Sequence, residues 1–205
     1  MDVADSTRTT GVSSRTAAAL GGLLGLAWAA ALRGYMTQLV PVSHVDWFGT
    51  FVGVLLPGVV TGALLGVAWA RGTAGRNRRI GWFALAPVSF AVFPLLEPGA
   101  VQALFSQGFG GAAAGFALIA IIGGFAFSGA GPLWARLVCG VLALAFLVAL
   151  VLASPMVGGP SLALTEPRGV WVAVLVGSLT VLLMLTTSIP FRFSSSARRQ
   201  RSGTS

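Results

Sequence analysis

The chain is a succession of apolar runs close to twenty residues long, separated by short segments that hold almost all of its charge. A run of that length, wound as an α-helix, crosses about 30 Å of hydrocarbon. Its backbone polar groups are satisfied within the helix itself, which is the condition for burial in lipid. With 56% hydrophobic and 9% charged residues, against about 25% charged in an ordinary soluble domain, the apolar surface is too large to hide in a water-soluble core. The expected fold is all-α, a polytopic transmembrane helix bundle.

The runs predict about six spans, near 16–40, 50–70, 80–96, 109–127, 137–153 and 169–189. The corresponding organisation is a flexible cytoplasmic tail over 1–16, a six-helix transmembrane domain over 17–190, and a basic, Ser-rich cytoplasmic tail over 191–205. A cleaved signal peptide is the alternative for the first run, since a basic start, an apolar stretch and the small residues Ala29 and Ala31 match that pattern. The adjacent Gly21 and Gly22, and the continuation past Arg33 to Leu39 and Val40, favour a retained helix. Pro87 and Pro94 predict a kink with freed carbonyls in the third span. Residues 99–108 are less apolar and fit either a short interfacial helix or the start of the fourth span.

Charge sets the orientation. Every basic residue except Arg33 and Arg168 falls at a chain end or in a loop on one side, which by the positive-inside rule places both termini in the cytoplasm, N-in and C-in. Asp46, Glu97 and Glu166 then lie at or near the outer face. A net charge of +8 would point to nucleic acid in a soluble protein, but basic loops between membrane helices need no such partner. Anionic lipid headgroups are the expected partner of Arg71, Arg76, Arg78, Arg79, Arg198, Arg199 and Arg201. All 13 basic residues are arginine; beside so much Ala, Gly and Val, this suggests a high-GC bacterial gene and the bacterial plasma membrane.

Motifs that carry chemistry are sparse. Cys139 is the single cysteine and His44 the single histidine, so the sequence offers neither a disulfide, a Cys or His pair for metal or haem, nor a base to activate a serine; no cofactor is expected. Gly108-Phe109-Gly110-Gly111 lacks the Lys-Ser/Thr end of a phosphate loop. The hydroxyls of the last run, from Ser178 to Ser188, are expected to bond to carbonyls of their own helix. Glycines spaced by four, Gly21/Gly25, Gly62/Gly66 and Gly111/Gly115, predict close helix packing, and with it a homo-oligomer or a membrane partner protein. Gly21–Ala29 also aligns with Gly62–Ala70; in so biased a composition this similarity reads as coincidence.

The most informative cluster surrounds Arg33. A charge within an apolar run costs several kcal/mol unless it is paired or snorkels to an interface, and Arg33 lies close to the outer boundary of the first span. Two readings stay open. In one, Arg33 snorkels to outer headgroups. In the other, it pairs with Glu97 or Asp46, with Tyr35 and Gln102 alongside, around an outward-opening polar pocket. The segments Arg33-Gly34-Tyr35-Met36 and Trp47-Phe48-Gly49-Thr50 together resemble part of a group of small, uncharacterised polytopic bacterial membrane proteins. The resemblance covers under a tenth of the chain and implies no activity.

The function expected from the sequence is that of a non-enzymatic structural, regulatory or accessory membrane component. The alternative is a small transporter or channel that uses the outer pocket, with the Pro87/Pro94 kink as a gate. A membrane-embedded enzyme acting on lipid has only Asp46, His44 and Glu97 from which to assign acid and base roles.

Overall fold

A computed structural model describes residues 12–40, 45–75, 80–96 and 111–202, the side chains of 111–113 and 196–202 aside. Within these residues the chain is all-helical: α1 (Ser14–Leu39), α2 (Trp47–Thr73), α3 (Ile80–Leu96), α4 (Gly111–Phe127), α5 (Leu133–Gly158) and α6 (Pro167–Ser202). Four of them, α1, α2, α5 and α6, are long and apolar enough to cross a membrane; α3 and α4 are shorter.

Helix boundaries follow local chemistry. Ser13 caps α1 by accepting the Thr16 amide, as an N-cap serine does. Asp46 caps α2 through Gly49, and this helix begins with π winding over Trp47–Leu55 before it settles into α geometry at Leu56. Pro57 follows the change of winding, where its missing N–H removes a backbone donor. At the other end of the chain, α6 runs through Pro190 to Ser202. The last helix therefore extends well beyond the expected boundary near 189, and the described part of the basic C-terminal segment is helical.

The third helix departs most from α geometry. It is 3₁₀-wound over Ile80–Val88 and Phe93–Leu96, with one α turn at Ser89–Val92 between them. Pro87 and Pro94 lie in the two 3₁₀ segments, so the freed carbonyls expected from the sequence are accommodated by tighter winding. In a 3₁₀ helix residues three apart eclipse; accordingly Ala84, Pro87 and Phe90 are buried on one side while Trp82, Leu85 and Val88 are exposed on the other. The winding also lengthens the element. At about 2.0 Å rise per 3₁₀ residue and about 1.5 Å per α residue, the 17 residues of Ile80–Leu96 reach roughly 32 Å, where a pure α-helix would reach roughly 26 Å.

Helices consecutive along the chain alternate in direction. The α1–α2 contact is antiparallel and made of backbone: a Cβ built on Gly21 would collide with the Gly62 carbonyl oxygen, one on Gly25 with that of Gly58, and one on Gly66 with that of Ala17. These pairs give structural meaning to the internal similarity. Gly21 and Gly62 are equivalent in the two repeats and face each other, and the Gly25–Gly58 and Ala17–Gly66 contacts exchange under the same equivalence. The contacts are thus two-fold related about the Gly21–Gly62 pair, where the two similar segments meet at their first residues and run in opposite directions.

On that hairpin lies α6, whose buried stripe of Val172, Val176, Leu179, Leu183 and Thr187 follows helical spacing. Trp28 of α1 donates its indole N–H to the Leu179 carbonyl at 2.9 Å and packs edge-on against Phe90 of α3. The α4 helix runs parallel to α6, with Gly123 against Met184 and Gly124 against Thr187. Trp28 is half-buried, whereas Trp47, Trp69, Trp82, Trp134 and Trp171 are exposed within a few residues of helix ends, the placement of interfacial aromatic anchors.

Candidate functional site

The polar groups collect in three places: the end of the bundle where α1 finishes and α2 begins, a point midway along α2 and α3, and the opposite, arginine-rich end. At the first of these, Arg33 is half-buried and its Nε donates to the Oγ1 of Thr50, at 3.3 Å. Thr50 is buried in the π-wound turn of α2, so the guanidinium bridges the last turns of α1 and the first of α2. Asp46, a sequence candidate for pairing with Arg33, directs its carboxylate to the Gly49 amide and serves as a helix cap.

Tyr35 points the other way around α1. It is buried and belongs to a core with Leu32, Phe116, Leu162 and Val172, against which Leu150 and Val151 of α5 also pack. The Ser154 hydroxyl donates to its own helix at the Leu150 carbonyl, 3.0 Å away. Of the five residues expected to line an outer pocket, Arg33 and Asp46 thus flank the α1–α2 connection and Tyr35 lies in the core. Glu97 and Gln102 lie outside the described residues, as does His44.

A second arginine contact closes this end. Arg168, in the first turn of α6, donates from Nε to the side chain of Gln38 and from Nη2 to its carbonyl oxygen, both at 3.3 Å. A cation is poorly placed at the positive N-terminus of its own helix but well placed at the negative C-terminus of another. Because α1 has no basic residue in its last turn, Arg168 supplies that charge from a neighbouring helix.

The same device recurs at the arginine-rich end. The last turn of α4 also lacks a basic residue. Arg136 of α5 donates from Nε to the Ala126 carbonyl at 3.2 Å, and Arg192 of α6 donates from Nη2 to the Phe127 carbonyl at 3.0 Å. Ser128 completes the cap by donating to the Phe125 carbonyl. Unpaired C-terminal carbonyls would otherwise be left without partners. Arg71, expected on headgroups, is exposed and lies over the Phe83 ring, 5.4 Å from its centroid. Arg76, Arg78 and Arg79 are outside the described residues, and only the helical backbone of Arg198, Arg199 and Arg201 is described.

Midway along the bundle, Thr61 of α2 and Ser89 of α3 stand 2.7 Å apart, oxygen to oxygen. Thr61 also reaches the Ala86 carbonyl and Ser89 the Pro57 carbonyl, each at 3.2 Å. Three short contacts share two hydroxyl protons, so the cluster has two alternative hydrogen-bond arrangements. It is the polar link between two helices that proline has perturbed, and the sequence signal for it is a Ser or Thr two to four residues after a Pro in both of these runs, Pro57/Thr61 and Pro87/Ser89. By contrast, Thr180, Thr187 and Ser188 on α6 donate to Val176, Leu183 and Leu185 of their own helix, as the sequence led us to expect.

Fold and polar groups together define the class of protein, a helical bundle whose four longest helices are long and apolar enough to cross a membrane. Comparison with protein-family models, with curated proteins and with solved structures finds no match to this chain.

Proposed function

We propose that the chain is a multi-pass protein of the bacterial plasma membrane, with six crossing helices and both termini cytoplasmic, acting as a non-enzymatic structural, regulatory or accessory component. The observation that carries this reading is the use of the described polar side chains. Arg33, Arg136, Arg168, Arg192, Trp28, Thr61 and Ser89 each tie one helix to another, a role in holding a scaffold together. The six-span count draws support from the length of α3, whose 3₁₀ winding carries a 17-residue element across about 30 Å of hydrocarbon. Orientation rests on the arginine asymmetry.

Two experiments test this reading. In a Cys139→Ser background, a membrane-impermeant maleimide added to intact cells is expected to label a cysteine at Val45 and to leave one at Ala74 unlabelled. The reverse pattern would invert the orientation. For the accessory role, affinity capture of the full chain after mild extraction is expected to recover the same membrane protein reproducibly; repeated recovery of the chain alone would count against it.

A small transporter or channel is the second reading, and the Thr61–Ser89 cluster is what favours it. Those oxygens sit near the middle of α2 and α3, beside Pro87, where a solute path would need polar groups. Liposomes containing the full chain would show ion or solute flux that falls in Thr61→Ala and Ser89→Ala variants; absence of flux for every solute tried would remove the reading.

A further inference from the structure

The first third of α2 uses two hydrogen-bond registers. At its entrance the Thr50 N–H bonds to the Asp46 carbonyl, four residues back, at 3.2 Å, which is the α pattern. At its exit the Leu56 N–H bonds to the Phe51 carbonyl, five residues back, closing the π winding of Trp47–Leu55. A π stretch of 9 residues is unusual, because such winding occurs mostly as single-turn bulges, frequently at functional sites. Pro57 accounts for it. In the α register its ring would press on the carbonyl four residues earlier, that of Gly53, and a wider turn carries that carbonyl away. The two registers are otherwise close in hydrogen bonding. Each N–H from Thr50 to Leu56 finds a carbonyl in either, and the α register gains one acceptor, the Val52 carbonyl, which Leu56 would then address.

Immediately after Pro57 the helix is locked. A Cβ on Gly58 would collide with Ala29 and with the Gly25 carbonyl oxygen, and Gly62 and Gly66 make equally close contacts with α1. Before Pro57 the packing is looser. A Cβ on Gly53 would have the Phe48 carbonyl oxygen at 3.7 Å, an ordinary contact. The π segment rests against Phe93–Leu96, the 3₁₀ end of α3, and Arg33 donates to Thr50 within it. A change from five-residue to four-residue pairing would turn everything ahead of Pro57 about the helix axis, relative to the locked part, and would carry Thr50 away from Arg33.

We propose that Trp47–Leu55 is a winding switch hinged at Pro57. In the π register Arg33 holds Thr50; in a second, α register that contact is released and the entrance of α2 turns against α1 and the end of α3. This goes beyond the scaffold role above, because it lets one end of the bundle rearrange while the Gly21–Gly62 contact stays closed. The Thr61–Ser89 contact lies on the locked side of Pro57, so α2 and α3 remain joined through the change.

The test uses the full chain in phosphatidylcholine nanodiscs, in a Cys139→Ser background. Spin labels are attached through Trp47→Cys paired in turn with Leu24→Cys on α1 and Leu142→Cys on α5, all three positions being exposed. Side chains lie about 5–6 Å from a helix axis, so turning the entrance of α2 moves its label by several ångströms. Pulsed dipolar spectroscopy of this chain is expected to give one main distance for each pair and a minor second one. Pro57→Ala removes the ring that opposes the α register, and Thr50→Val removes the acceptor for Arg33. Each should make the same second distance the main one. Should Pro57→Ala fail to fold, Thr50→Val, which keeps nearly the same side-chain shape, carries the comparison alone. Unchanged distances in the variants, a single distance without a minor component before either substitution, or variants that move to different new distances would overturn the proposal.

Discussion

Gly21 and Gly62 meet across the α1–α2 hairpin so closely that a Cβ on either one would collide with the carbonyl oxygen of the other. This contact lies at the centre of the quasi-two-fold arrangement, with Gly25–Gly58 and Ala17–Gly66 on either side of it. In lipid, where apolar side chains gain nothing by leaving solvent, van der Waals contact between backbones is a main source of helix association.

Gly62→Leu should therefore separate the two helices. Overpacking a close contact costs about 1–3 kcal/mol, and the neighbours here are backbone atoms that cannot rotate aside. Gly34→Ala on α1, where a Cβ meets nothing within 4 Å, should be neutral or stabilising by up to about 1 kcal/mol, because glycine is a poor helix residue. Thermal melts of both variants in the same detergent compare them directly. Equal stability would contradict the backbone contact.

Arginine capping between helices gives a graded expectation. Arg168 is exposed and bonds to Gln38, so Arg168→Gln should lower stability by only about 0.3–1 kcal/mol, with the difference reduced at high salt. Arg136 is half-buried and holds a carbonyl at the end of α4. Leaving that group without a donor costs about 1–3 kcal/mol, so Arg136→Gln should be the more damaging of the two and less sensitive to salt. Denaturation measured at two ionic strengths tests both the order and the salt response.

The indole of Trp28 reaches α6 through one hydrogen bond, to the Leu179 carbonyl. Trp28→Phe keeps most of the ring packing, including the edge-on contact with Phe90, and removes the N–H. Hydrogen bonds between membrane helices contribute about 0.6 kcal/mol on average and up to about 1.7, so the loss should fall in that range and be smaller than for Trp28→Ala. A Phe variant as damaging as the Ala variant would mean that the hydrogen bond, rather than the ring, fastens α1 to α6.

How legible all this was from sequence depends on the range of the interaction. The bounds of α3, Ile80–Leu96, coincide with the apolar run because Gly, Arg and Pro punctuate it locally. The extension of α6 past Pro190 was not legible, because a proline forbids one backbone bond but leaves the rest of a long helix intact. At the candidate site, Arg33 was conspicuous as a charge inside an apolar run. Its partner Thr50 was not, since nothing local distinguishes one threonine from another until α1 and α2 are laid side by side. The Gly21–Ala29 repeat was visible but ambiguous: composition alone could produce it, and only the facing of Gly21 on Gly62 gives it structural meaning.

Proline in α3 controls the length of that element, and the consequence is measurable. Spin labels at Trp82 and Leu95, both exposed, span two 3₁₀ segments and the α turn between them. Restoring the missing N–H groups with Pro87→Ala/Pro94→Ala should allow α winding throughout, and the rise per residue then falls from about 2.0 to about 1.5 Å over most of the interval. The expected contraction between the labels is about 4–5 Å by the same geometry, well within reach of pulsed dipolar spectroscopy. Contraction would also move Ser89 relative to Thr61, so their 2.7 Å contact should break and the variant should lose stability beyond the effect of the proline side chains. An unchanged label distance would show that packing against α2 and α6, and not proline, imposes the 3₁₀ winding.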